Sequence, residues 1–232
     1  MLMNLAAALR RATGLLPVLL LLPLLAGAHP FSNVDISALT RPQAVWGYLQ
    51  LGFQHIIPLS ADMAWGLDHI LFIVCLFVLE PRLKAVLWQA TAFTVAHSIT
   101  LGLAAAGLVS APASIVEPLI ALSILFVALE NLITDRLRPW RLAVVFGFGL
   151  LHGLGFAGIL REIGLPRHLF FEALLSFNVG VELGQVSIIL LCWLVIGWWT
   201  APKPWYKQRV LMPMSVCIAL VAAWWTVERV FF

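Results

Sequence analysis

Asp68 and His69 in GLDHILFIVCLFVLE, His97 in TAFTVAHSIT, His152 in FGFGLLHGLGFAG and Glu182 in FNVGVELGQ stand in stretches that otherwise hold almost no charge. A charged side chain at a bilayer centre costs roughly 2.5–3.5 kcal/mol on insertion scales, so such groups are functional candidates by default. Asp62 precedes the first pair and shares a helix face with His69, while Asn178, Glu182 and Gln185 follow one another at helical spacing as a narrow polar stripe. Thr91, Thr94 and His97 or Ser98 line a further face, where hydroxyls often serve only as packing glue. Imidazoles and carboxylates together in a dry layer suit a borderline divalent transition metal ion such as nickel, zinc or cobalt. The absence of nearby thiolate or methionine clusters argues against copper(I). A bound dication would offset the cost of burying the acids. Proton relay among the same groups is the rival chemistry.

The elements that must position these groups are membrane helices. The chain of 232 residues is 62% hydrophobic and only 11% charged, far below the roughly 25% charged residues of a soluble domain. This is the composition of an all-α, polytopic membrane helix bundle, with no length left for a separate globular domain. The net charge of +3 is spread over short loops, which reports topology and excludes a nucleic-acid surface. Cys75, Cys192 and Cys217 lie in apolar runs and read as small core residues rather than a disulfide framework. Residues 1–28 have the form of a signal peptide: Arg10 and Arg11, a short Leu-rich core, then AGA before His29. Cleavage after Ala28 would give His29 a free α-amine beside its imidazole, a pair able to chelate a divalent ion as an accessory site.

Residues 29–59 then form a periplasmic N-terminal segment. Its stretch AVWGYLQLGFQHII is too short to cross and is expected at the outer interface, or dipping in and returning. Residues 60–232 form the bundle, with about six spans expected at Ala61–Glu80, Lys84–Val109, Ala113–Thr134, Arg141–Leu160, Glu172–Trp199 and Val210–Val230. With the mature N-terminus periplasmic, Arg82, Lys84, Arg136, Arg138, Arg141, Lys203, Lys207 and Arg209 fall on the cytoplasmic side of a bacterial inner membrane. Arg41, Arg161, Arg167 and Arg229 fall outside. In this frame Asp68 and His69 lie roughly 10–12 Å below the outer end of their helix, His152 about 12 Å, Glu182 about 15 Å and His97 about 18 Å. Four helices thus bring polar groups to one layer of the outer half, with Glu117 above it at about 6 Å. Gly149, Gly153 and Ala157 form a small-residue row that lets another helix approach His152. Glu130, Asn131 and Asp135, near the inner end of the third span, read either as the lining of an exit or as a helix terminus at the headgroups.

GFQHIIP, GLDHILF, TAFTVAHSITLGLAAAGLV, VEPLIALSILFVALENL, FGFGLLHGLGFAGIL and FNVGVELGQ occur in this order from Gly52 to Gln185 and together resemble the HupE/UreJ family of bacterial membrane proteins. Founding members of that family are accessory to hydrogenase and urease maturation. The resemblance implies a six- or seven-helix inner-membrane protein acting as a nickel permease, with metalloenzyme maturation proteins as possible partners. Asp68 and His69 match the Asp-His of the family's His-x5-Asp-His motif, and His97, His152 and Glu182 fall in its other polar blocks. Where that motif has its first histidine, this chain has Asp62, and PLSADMAW separates His55 from the Asp-His block. Either Asp62 replaces the histidine as a ligand, or His55 folds back from the interfacial segment.

The ligand set expected from the sequence is Asp62, Asp68, His69, His97, His152 and Glu182, supported by Asn178, Gln185, Glu117 and Ser98. His29 and His55 are accessory candidates. Metal uptake is the leading reading. The alternatives are a membrane-embedded hydrolase, with Glu117 or Glu182 as base beside a metal-activated water, a haem-binding subunit using His97 and His152 as axial ligands, and a structural or assembly partner. No nucleotide-binding motif is present in the sequence.

Overall fold

Apolar backbone must satisfy its own N–H and C=O groups, so the Leu-, Ile-, Val- and Phe-rich runs wind into helices. The computed structural model describes residues 36–58, 66–134 and 136–232. The expected signal peptide, His29, Asp62 and Asp135 lie outside these residues. Seven main helices follow one another: α1 (Arg41–Ile56), α2 (Gly66–Leu79), α3 (Leu83–Ala105), α4 (Ala113–Ile133), α5 (Arg141–Ile163), α6 (Phe170–Cys192) and α7 (Met212–Phe231). The described residues contain no strand. Pro81, Pro112, Pro139, Pro166 and Pro202 stand in the connections. α1 starts at Thr40, whose backbone N–H donates to the Gln43 side chain at 3.0 Å.

Helical segments Leu83–Ala105, Ala113–Ile133, Arg141–Leu160, Arg167–Thr200 and Lys207–Phe231 are each long and apolar enough to cross a membrane. The protein is a multi-pass membrane protein. Two of these segments contain π-helical turns, Trp193–Gly197 continuing α6 and Lys207–Leu211 leading into α7. Within the run expected to span from Ala61 to Glu80, the described residues form a helix from Gly66 to Leu79, about 20 Å long.

Close contacts explain how this short helix is used. A Cβ at Gly52 would collide with the Phe177 carbonyl, one at Gly180 with the Leu49 carbonyl, and one at Gly184 would meet Ile56 at 2.7 Å. Arg41 at the start of α1 pairs with Glu172 at the start of α6 at 3.1 Å, while Ile56 at its end lies against Gly184, so α1 runs parallel to α6. Gly66 then sits on the His55 and Ile56 carbonyls, each 2.9 Å from a Cβ placed there, and Gly197 beyond α6 faces Phe77 of α2. α1 and α2 are therefore stacked end to end along α6. We call the end where α1 begins the upper end and the end where α2 finishes the lower end.

α3 and α5 form a second parallel pair. A Cβ at Gly149 would meet the Phe93 carbonyl at 2.5 Å, and one at Gly153 would strike the Thr100 hydroxyl and the His97 carbonyl. Thr100 ties the pair by donating to the Leu150 carbonyl at 2.8 Å. Gly153→Val is expected to force α3 away from α5 and cost about 1–3 kcal/mol through overpacking. Gly147 has open space where its Cβ would be, so Gly147→Ala is expected to be neutral or to stabilise by up to about 1 kcal/mol. Unfolding of the detergent-solubilised variants measures both.

At the lower end the structure differs from the sequence reading. Arg141, counted there among the loop cations, is fully buried. Its guanidinium lies 2.9 Å from Glu130 and donates to Asn131 Oδ1 at 3.1 and 3.2 Å and to Gln89 Oε1 at 3.1 Å. Asn131 in turn donates to the Cys75 carbonyl at 2.8 Å. Glu130 and Asn131 are buried beneath Arg141 rather than presented to headgroups. The connection from α4 to α5 is short, which brings the last turn of α4 against the first turn of α5 and gives Arg141 its partners.

Candidate metal centre

The break between α1 and α2 brings together two histidines that are far apart by sequence spacing. His55 closes α1, His69 lies in the first turns of α2, and their rings are 4.6 Å apart, centre to centre. His97 of α3 lies 6.0 Å from each of them, and His152 of α5 lies 5.1 Å from His69. Four helices thus supply one imidazole each.

Aromatic rings wall the cluster in. Phe156 stands 4.0 Å from His55, Phe93 4.9 Å from His152, and Phe72 5.6 Å from His152. His69, His97 and His152 are buried. Both ring nitrogens of His55, His69 and His97, and Nε2 of His152, are buried without a hydrogen-bond partner. Buried polar atoms are normally paired, and leaving one unpaired costs about 1–3 kcal/mol. Seven such atoms in one cluster are a concentration of unmet demand. At His152 the tautomer follows from geometry: Nδ1 lies 2.8 Å from the Phe148 carbonyl, which only accepts, so Nδ1 carries the proton and Nε2 keeps its lone pair.

Among the described residues no group of three or more His, Cys, Asp or Glu side chains is placed so that it could hold a metal ion as it stands. Metal–nitrogen bonds of about 2.0–2.1 Å put tetrahedral ligand atoms roughly 3.3 Å apart. The imidazoles at the observed separations would have to rearrange to meet that requirement.

A cavity of about 400 Å³ reaches the cluster from above. His55, His69 and His152 line it, together with Asp68, Glu117 and Arg229. Arg229, placed by the sequence reading among the outer charges, enters the cavity wall. Its Nη2 donates to both oxygens of Asp68 at 3.0 Å, and its Nη1 donates to the Glu117 carbonyl at 3.2 Å. Asp68 is therefore engaged by a fixed cation instead of standing among the imidazoles. His97 closes the cluster from behind the lining.

The remaining expected residues lie elsewhere. Glu182 accepts a hydrogen bond from the Thr91 hydroxyl at 2.6 Å, and Asn178 donates to the Leu174 carbonyl at 2.8 Å. Gln185 is buried on the same α6 stripe, with neither amide atom hydrogen-bonded. None of the three lines the cavity. Ser98 donates to the Thr94 carbonyl of its own helix at 2.6 Å, the packing role common for hydroxyls in membrane helices. Sequence reasoning did not single out Arg229 as a site residue, although a lone arginine in the final turn of an apolar span is a signal. It also left out Phe72, Phe93 and Phe156, for which an apolar run gives no signal.

No curated protein and no solved structure matches the chain. The family model described as HupE / UreJ protein matches residues 32–229, a stretch that takes in every helix contributing an imidazole to the cluster, and the chain belongs to the HupE/UreJ family.

Proposed function

We propose that the protein binds a divalent transition-metal ion, nickel first with zinc or cobalt as alternatives, and carries it across the membrane. The observation behind this reading is the set of buried, unpartnered imidazole nitrogens converging from four helices. Nitrogen donors of this kind suit borderline ions, whereas an all-oxygen site would suit magnesium or calcium. Family membership agrees with a metal-related role.

The ion is cargo in this scheme. It reaches the upper cavity, where the Asp68 carboxylate attracts it and competes with Arg229 for its charge. It then exchanges water for the lone pairs of His55, His69, His97 and His152. In this reading the upper end faces the periplasm, in keeping with the positive-inside distribution of loop cations, and the ion enters from there. The imidazoles bind as neutral ligands, so protonation competes with the ion and binding weakens in acid.

The test bears on the ambiguity left by the sequence. Purified protein is equilibrated with Ni²⁺, and bound metal is counted by elemental analysis for wild type, His55→Ala and Asp62→Ala. His55→Ala is expected to lose the ion and Asp62→Ala to retain most of it. Full binding by His55→Ala together with loss in Asp62→Ala would transfer the ligand role to Asp62 and overturn the four-imidazole site.

A further inference from the structure

Below the imidazoles the route toward the lower end is blocked twice. The first block is aromatic. Phe72 and Phe93 are 5.1 Å apart, Phe148 is 6.2 Å from Phe72, and each sits about one helical turn below a histidine of its own helix. The second block is the Arg141 network. Counted along α2, α3 and α5, Cys75, Gln89 and Arg141 lie roughly 9, 12 and 16 Å below His69, His97 and His152. A separate cavity of about 370 Å³, walled by Trp88, Arg138 and Leu142, comes up from the lower end and reaches Gln89. The Phe layer and the guanidinium stand between the upper cavity and this lower one.

We propose that Arg141 is the residue that gates the lower half of the ion's path, an inference that rests on the transport reading above. Its side chain connects α5 to Gln89 on α3 and to Glu130 and Asn131 on α4, and Asn131 carries the connection to the Cys75 carbonyl on α2. Four helices are thus held by one side chain, and loosening it frees them together. The guanidinium is also a fixed positive charge in a layer with little water. Paired with Glu130 at 2.9 Å and fully buried, its side chain fills that layer, and an ion cannot pass until Arg141 moves. The packing pairs permit such a movement. α3 and α5 are locked by glycine contacts and α4 lies antiparallel to α7, joined by Arg229 and Glu117, so the Arg141 bonds to Glu130 and Asn131 cross from one pair to the other, while its bond to Gln89 anchors the guanidinium within the first. With those bonds closed and the upper cavity open, the molecule is in its upward-open state.

Cys75 is the reporter, since it is a free, buried cysteine on the turn whose carbonyl belongs to the network. With Cys192 and Cys217 changed to serine, Cys75 is challenged from the lower side of membrane vesicles by a membrane-impermeant methanethiosulfonate, with and without Ni²⁺. Wild type is expected to be protected without Ni²⁺ and labelled when Ni²⁺ is supplied above. The double variant Arg141→Gln/Glu130→Gln replaces the ion pair by neutral amides, and is expected to label about tenfold faster without Ni²⁺, while Ni²⁺ binding stays that of wild type. Gln89→Leu removes one hydrogen bond and leaves the ion pair, so it gives the same direction of change in a less perturbed protein. Equal protection of Cys75 in wild type and both variants, with Ni²⁺ bound, would overturn the gate, as would labelling that is already complete in wild type without Ni²⁺. If wild type binds no Ni²⁺ and the variants still label faster, the metal reading falls and the gate stands.

Discussion

His69→Ala is expected to reduce Ni²⁺ affinity by more than the 10–100-fold or so that removal of a residue merely supporting a metal ligand costs. The His69 ring contacts those of His55, His97 and His152 at 4.6, 6.0 and 5.1 Å, so its loss takes a donor from the centre of the cluster. A second consequence separates a binding role from a structural one. Both ring nitrogens of His69 are buried and unpaired, and their removal relieves an uncompensated polar burial even as it leaves a small cavity. The metal-free variant is therefore expected to unfold no earlier than wild type. Ni²⁺ at 100 times its dissociation constant adds about 2.7 kcal/mol to wild type by linkage and nothing comparable to the variant. Equilibrium dialysis and thermal unfolding, each with and without Ni²⁺, measure these outcomes. Ser98→Ala is the control, since its hydroxyl is already bonded to the Thr94 carbonyl. An early-melting His69→Ala that binds Ni²⁺ normally would show that the imidazole serves packing.

Arg141→Leu is expected to have the opposite profile, a large loss of stability with no direct effect on the imidazoles. Its guanidinium is fully buried and engages Glu130, Asn131 and Gln89. Removal of one partner from a buried ion pair costs about 3–5 kcal/mol, because the other charge stays behind without compensation. Most of the damage should come from Glu130, so adding Glu130→Gln to Arg141→Leu is expected to recover the larger part. The buried amides of Asn131 and Gln89 account for what is not recovered. Denaturant titration of the two variants and of Glu130→Gln alone completes the cycle. Equal stability of Arg141→Leu and wild type would mean that the pair contributes no net energy.

Hydropathy and helical period are local properties, and they made the class of the protein readable from the amino acids. Long apolar runs, prolines between them and too few charges for a soluble surface leave only a helix bundle. The small-residue row at Gly149 and Gly153 was likewise legible as a close approach, because only a missing Cβ lets two backbones come that near. The idea of a shared polar layer came from counting rise per residue, and the structure places His69, His97 and His152 side by side.

What the residues alone left open is how those elements meet. His55 and Asp62 were alternatives because counting along a sequence assumes an unbroken helix. Only the end-to-end stacking of α1 on α2, set by Gly52 and Gly180 against α6, brings His55 beside His69. Glu182 shares the depth of the layer but faces Thr91 across a different helix contact, since depth fixes one coordinate and the rotation of each packed helix fixes the others. The two arginines give the same lesson. Each stands at the end of an apolar run, where sequence reads a charge in contact with water. A guanidinium is held inside the bundle wall only where partners from other helices arrive, Asp68 and Glu117 for the half-buried Arg229, Glu130, Asn131 and Gln89 for the buried Arg141. The polarity of each helix is written in its own residues. The neighbours that neutralise a charge or gather the imidazoles come from distant parts of the chain, and only tertiary packing determines them.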